Sequence, residues 1–177
     1  AKTICKRYKG NQAHAEYLEQ MAGKFFDLLQ KYHGLGERER LLLRLAAILH
    51  DCGKFISMSA PGECAYQIIM STEILGISHM EREMVASIVR YNTMELPNFN
   101  EFDGKLGNDE YLIVMKLAAI LRVCNALDLT IKDSNIVITT AYPDNITLEK
   151  KTLQDKQDFF EEVYGLGFEI KQKKKKQ

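Results

Sequence analysis

The stretch Leu41-Leu-Leu-Arg-Leu-Ala-Ala-Ile-Leu-His-Asp-Cys-Gly-Lys54 decides how the rest of the chain is read. A helix that is apolar on nearly every side belongs in a protein interior. This one ends on an imidazole and a carboxylate, His50 and Asp51, and then turns on Gly53. Charged groups are seldom buried without a partner, so the pair requires one. A neutral imidazole beside a carboxylate suits a divalent metal. The plainer alternative has Asp51 capping the next turn and His50 bonded to a backbone carbonyl.

Upstream, Leu18, Met21, Phe25, Leu28 and Tyr32 recur at steps of three and four, which predicts an amphipathic helix over about 11–32. His14 heads the same stripe and therefore faces inward. Gly34 and Gly36 break the chain before the charged start Glu37 to Arg40. Downstream, a loop runs from Cys52 to about Gly62, and residues 63–74 read as a third helix. Ser78 with Glu81 is a capping box for a fourth, carried by Met84, Val85, Ile88 and Val89 to about Asn92. A polar, Pro- and Gly-containing loop follows to Asn108. The next helix, Tyr111 to about Asp128, is hydrophobic all round and reads as central.

Beyond Asp128 the period changes. Ile136, Ile138 and Thr140 alternate, Tyr142-Pro-Asp-Asn145 reads as a type I turn, and Ile146 and Leu148 alternate again, which predicts a hairpin. A helix over about 152–164, Gly165 and a strand at Phe168 and Ile170 complete the expectation. The expected fold is mainly α, a helical core over 1–130 with a small carboxy-terminal antiparallel β-sheet over 131–177, forming one compact domain.

The 177 residues suffice for one domain with a real core. Lys plus Arg and Asp plus Glu both number 24, which argues against a whole-domain field for nucleic acid or a membrane surface. No apolar run reaches spanning length, and the basic start lacks the apolar segment of a signal peptide. Cys5, Cys52, Cys64 and Cys124 show no zinc-ribbon or redox spacing, which points to a reducing cytoplasmic setting. Lys171 and Lys173 to Lys176 read as a solvated tail.

If His14, His50 and Asp51 converge, a residue of the last core helix completes the set. The candidates are Asn125 and Asp128 in Leu121-Arg-Val-Cys-Asn-Ala-Leu-Asp128, and Asn125 is the polar group inside an apolar helix that needs a partner. The order His, His-Asp, helix-borne acid resembles the HD-domain metal-dependent phosphohydrolases, in which the last residue is normally Asp. The resemblance implies a divalent metal (Mn, Fe, Mg or Zn) on His14, His50, Asp51 and Asn125, with Asp128 as the alternative fourth ligand. A carboxamide oxygen is neutral, so such a set holds a hard ion more weakly.

His33-Gly-Leu-Gly-Glu-Arg-Glu-Arg40, Ala46-Ala-Ile-Leu-His-Asp-Cys-Gly53, Phe55-Ile-Ser57, Ala65-Tyr66, Val89-Arg-Tyr91 and Ala118 to Asp128 carry a finer likeness. In this order they are similar to the carboxy-terminal region of the exopolyphosphatase and guanosine pentaphosphate phosphohydrolase family. That likeness implies a domain whose phosphatase lobes lie elsewhere, in the same protein or in a partner, because the 11 scattered glycines form no phosphate loop. It also implies polyphosphate or a phosphorylated nucleotide as ligand, Lys54 and Arg90 as phosphate contacts, and a homodimer. Ser59-Ala-Pro-Gly-Glu-Cys64 and Asn92 stand where that family is rich in His and basic residues.

Three readings follow. The first is an accessory domain that positions a phosphate polymer or alarmone. The second is a self-sufficient metal-dependent hydrolase with His50 and Asp51 at its centre. The third is a buried polar network that only holds helices in register.

Overall fold

Helical periodicity governs nearly all of the described chain. The computed structural model describes the backbone of residues 1–102, 106–126, 129–132, 135–138 and 147–166, and the side chains of 1–102, 106–126 and 156–166. In chain order the helices are α1 (Lys2–Arg7), α2 (Gln12–Leu28), the single turn α3 (Gln30–His33), α4 (Glu37–Leu49), α5 (Pro61–Met70), α6 (His79–Arg90), α7 (Asn108–Ala126) and α8 (Thr147–Tyr164). Short 3-10 turns occupy Cys52–Phe55 and Phe99–Glu101.

The punctuation explains the boundaries. Asn11 caps α2 by accepting from the His14 amide at 3.1 Å. At the far end the helix breaks at Leu29 and resumes for one turn, closed by Gly34 at φ +65°, and the break turns Tyr32, expected on the inward stripe, out to 46% exposure while Leu29 and His33 are buried. The expected capping box is present: the Ser78 hydroxyl accepts from the Glu81 amide at 3.2 Å, and the Ser78 amide donates to the Glu81 carboxylate at 2.7 Å. The Gly53 turn has a different cause from the conformational freedom of glycine. A Cβ there would lie 1.9 Å from the Pro61 carbonyl oxygen and 2.5 Å from the Ala65 amide nitrogen. Any side chain at that position would drive the turn off the start of α5.

Contacts fix the helix directions. Arg40 near the start of α4 pairs with Asp27 at the end of α2, at 2.8 Å, so the two run antiparallel. Arg38 pairs with Glu81, placing the starts of α4 and α6 together. Leu18, Phe25, Phe26, Leu43, Leu49, Ile88, Leu117 and Ile120 are almost fully buried in one cluster. Each such large apolar side chain contributes about 2 kcal/mol by leaving water. Phe160 of α8 joins the cluster, its ring 5.8 Å from that of Phe25.

The expected carboxy-terminal sheet is corrected. Thr147 begins a helix, so Leu148, placed in the second strand by its alternation with Ile146, lies in α8 instead. Two alternating positions are too few to establish a period of two, whereas Phe159, Phe160, Val163 and Tyr164 carry the helical spacing. The described part of the fold is therefore helical. Its extended backbone is limited to β1 (Leu129–Lys132) and β2 (Asn135–Ile138), which form a single antiparallel ladder with Leu129 opposite Ile138. No third strand joins it among the described residues, so this is not the appended sheet expected. The turn at 142–145, the strand at Phe168 and Ile170, the basic tail and Asp128 lie outside the described residues. No described helix is long and apolar enough to cross a membrane.

Candidate functional site

Three carbonyl ends meet at one end of the bundle. His50 closes α4, and Asn125 lies in the last turn of α7. The end of α6 is held to α7 by Arg122, whose Nε donates to the Tyr91 carbonyl at 2.6 Å and whose Nη2 donates to that of Met94. Helix C-termini carry partial negative charge, so this end favours cations. Arg122 supplies one. Burial pulls its guanidinium down to about 10, and it stacks 4.1 Å from the Phe159 ring centre. Sequence reasoning passed over it, although an arginine between Leu121 and Val123 in an apolar helix needs polar partners.

The start of α2 meets these ends from the opposite direction. The His14 Nε2 lies 3.4 Å from Asn125 Oδ1, and its ring centre is 5.1 Å from that of His50. Three distant segments thus bring His14, His50, Asp51 and Asn125 together. His50 is 6% exposed, and its Nδ1 donates to the Ala47 carbonyl at 2.8 Å. That bond fixes the tautomer, because a carbonyl only accepts. The second ring nitrogen, Nε2, faces Asp51 Oδ1 at 3.3 Å. This Nε2 is buried without a hydrogen-bond partner. Asn92, 2% exposed just beyond the end of α6, leaves both side-chain polar atoms unpartnered as well.

Asp51 is covered on its outer side by a cation of the chain itself. Lys54 Nζ stands 2.7 Å from Asp51 Oδ1, one 3-10 turn along. Burial alone raises the Asp51 carboxyl, but hydrogen bonds and charge from His50, when protonated, and from Lys54 outweigh it and hold the group well below the usual carboxylate range. The pair borders an open cleft of about 290 Å³, walled by Tyr8, Lys9 and Phe55. Arg90 is likewise paired, its Nη2 2.8 Å from Glu63, with the guanidinium over the rings of Tyr66 and Tyr91. Both proposed phosphate contacts therefore already hold carboxylates.

The donor set does not fit a hard divalent ion well. It offers two imidazoles, a neutral carboxamide and one carboxylate already neutralised by an ammonium. Among the described residues no group of three or more His, Cys, Asp and Glu is placed to hold a metal. What the arrangement does provide is a polar end with cations at its rim and unsatisfied nitrogen and oxygen atoms inside.

A family model, Ppx/GppA phosphatase, domain III, matches residues 1–172. The chain belongs to this family, as the carboxy-terminal domain of its proteins. A search of the curated proteins finds no match.

Proposed function

We propose that this domain of the Ppx/GppA family is accessory to polyphosphate or guanosine pentaphosphate hydrolysis. In this reading it positions the phosphate chain for catalytic lobes carried by another part of the same protein or by a partner, and it assists dimerisation. The match to domain III over nearly the whole chain carries the reading. Lys54 and Arg90, at the end of the bundle where α4 and α6 finish, are the phosphate contacts. Each must exchange a carboxylate for a phosphate oxygen, so each contact is weak alone and depends on several acting together.

A titration of the purified chain with polyphosphate tests this. Binding at low salt should fall steeply as salt rises, since each cation-phosphate contact is screened. Lys54→Ala and Arg90→Ala should each weaken it severalfold, and guanosine pentaphosphate should compete. Absence of binding at low salt would remove the reading, and sedimentation of the same sample would report the dimer.

A metal-dependent phosphohydrolase remains the alternative because of one observation, the buried His50 Nε2 without a partner. Against it stand the ammonium on Asp51 and the neutral Asn125. The purely structural alternative draws on the His14 to Asn125 contact, which ties α2 to α7.

A further inference from the structure

We propose that Lys54 is a resident cation that closes the His50-Asp51 site to divalent metal ions. Lys54 Nζ stands 2.7 Å from Asp51 Oδ1. The side chain of Asp51 is 18% exposed and that of Lys54 47%, so the carboxylate is seated inward and the ammonium covers its outer side. The 3-10 turn ties the two together, with the Lys54 amide bonded to the Asp51 carbonyl at 3.1 Å. Gly53 seats that turn against α5, because no Cβ fits between it and the Pro61 carbonyl. The ammonium is thus presented intramolecularly, at an effective concentration that a dissolved ion must outcompete.

Charge decides the matter. Asp51 and Lys54 sum to zero, and His14 and Asn125 add no negative charge when the imidazole is neutral. A divalent ion entering beside Lys54 would leave the half-buried site at plus two, repelled by an ammonium a few ångströms away. To bind, the ion must expel Lys54 from its only carboxylate among the described residues. The negative ends of α4 and α7 favour a cation here, and Lys54 already provides one.

Metal loading of the intact chain tests the proposal. Wild type, Lys54→Arg, Lys54→Met and Lys54→Met/Asn125→Asp are incubated with excess Mn²⁺, desalted and assayed for metal, with circular dichroism to verify folding. Wild type and Lys54→Arg should come through without metal. Lys54→Met should bind Mn²⁺ about tenfold more tightly than wild type or better. The double variant should retain near one ion per chain and lose it when His50→Ala is added. Should the double variant not fold, the rise in Tm with Mn²⁺ is compared between Lys54→Met and wild type; a rise in the variant alone supports the proposal, and equal responses overturn it. Stoichiometric metal on wild type would also overturn it, as would a folded double variant that retains no more than wild type.

Discussion

His33 and His50 are comparably buried imidazoles, at 5% and 6% exposure, at opposite ends of one helical bundle, and only the first is satisfied. His33 Nε2 donates to the Phe26 carbonyl and its Nδ1 accepts from the Leu35 amide, both at 2.9 Å. His50 uses one nitrogen, and the other has no hydrogen bond, only Asp51 Oδ1 at 3.3 Å. The surroundings repeat the contrast. At the His33 end, α6 begins with a complete capping box, Arg38 grips Glu81 and the Gly76 carbonyl, and Arg40 holds Asp27. At the His50 end, the Asn92 amide has no partner for either polar atom. Unsatisfied buried groups cost about 1 to 3 kcal/mol each. Among the described residues Arg82 Nε near the start of α6 is unpartnered too, but more such atoms, those of His50, Arg90 and Asn92, gather at the His50 end, where they cost stability as groups at binding sites commonly do.

Substitutions at the two ends test this contrast. The largest effect is expected from Gly53→Ala, whose methyl would meet the Pro61 carbonyl at 1.9 Å. A loss of about 3 kcal/mol or more in urea unfolding is expected, with parallel loss of any ligand binding at the His50 end. A near-neutral result would mean that the turn and α5 are not rigidly joined. Asn92→Leu should act in the opposite sense, gaining about 1 to 2 kcal/mol, because it replaces an unsatisfied amide with an apolar side chain of similar size. If stability falls instead, water satisfies that amide and the two ends are alike.

Ser78→Ala removes the cap of α6 and should cost about 1 kcal/mol in thermal unfolding. The smallest effect is read from pH. Hydrogen bonding to Arg38 chiefly, with burial opposing and Ser78 assisting, lowers the Glu81 carboxyl to about 2. A depressed carboxylate contributes stability above its unfolded value near 4.5, and the contribution is lost as pH falls through about 2. Glu81→Gln should therefore cost less than about 1 kcal/mol near neutrality, since the pair is partly solvated, and the gap from wild type should close towards pH 2. A gap that stays constant with pH would show that the capping geometry, rather than charge, carries the effect.

Much of the helical order was legible in the chain because local patterns set it. The α4 boundaries follow from the Glu37 to Arg40 start and the apolar run, and α6 follows from the Ser78 and Glu81 pairing. The sequence places His14 and His50 at helix ends, and the structure sets their rings 5.1 Å apart with Asp51 next to His50 and paired to Lys54. Other features were not legible. Leu148 alternates with Ile146 as a strand residue does, yet it turns into α8, because a two-residue alternation competes with a helical stripe that packs Phe160 into the core. Arg122 sat in plain view, but its role depends on carbonyls of α6 and the loop beyond, which are remote in sequence.

By itself the sequence determined the main core helices, α2, α4, α6 and α7, and the family, since periodicity, caps and motif order are local properties that survive without coordinates, while α1 and the start of α8 were not read from it. Only the tertiary structure decided that Lys54 meets Asp51, that Arg90 meets Glu63, and that one imidazole nitrogen of His50 goes without a hydrogen bond. Which charges pair depends on distances of a few ångströms between side chains, and the packing of whole helices sets those distances.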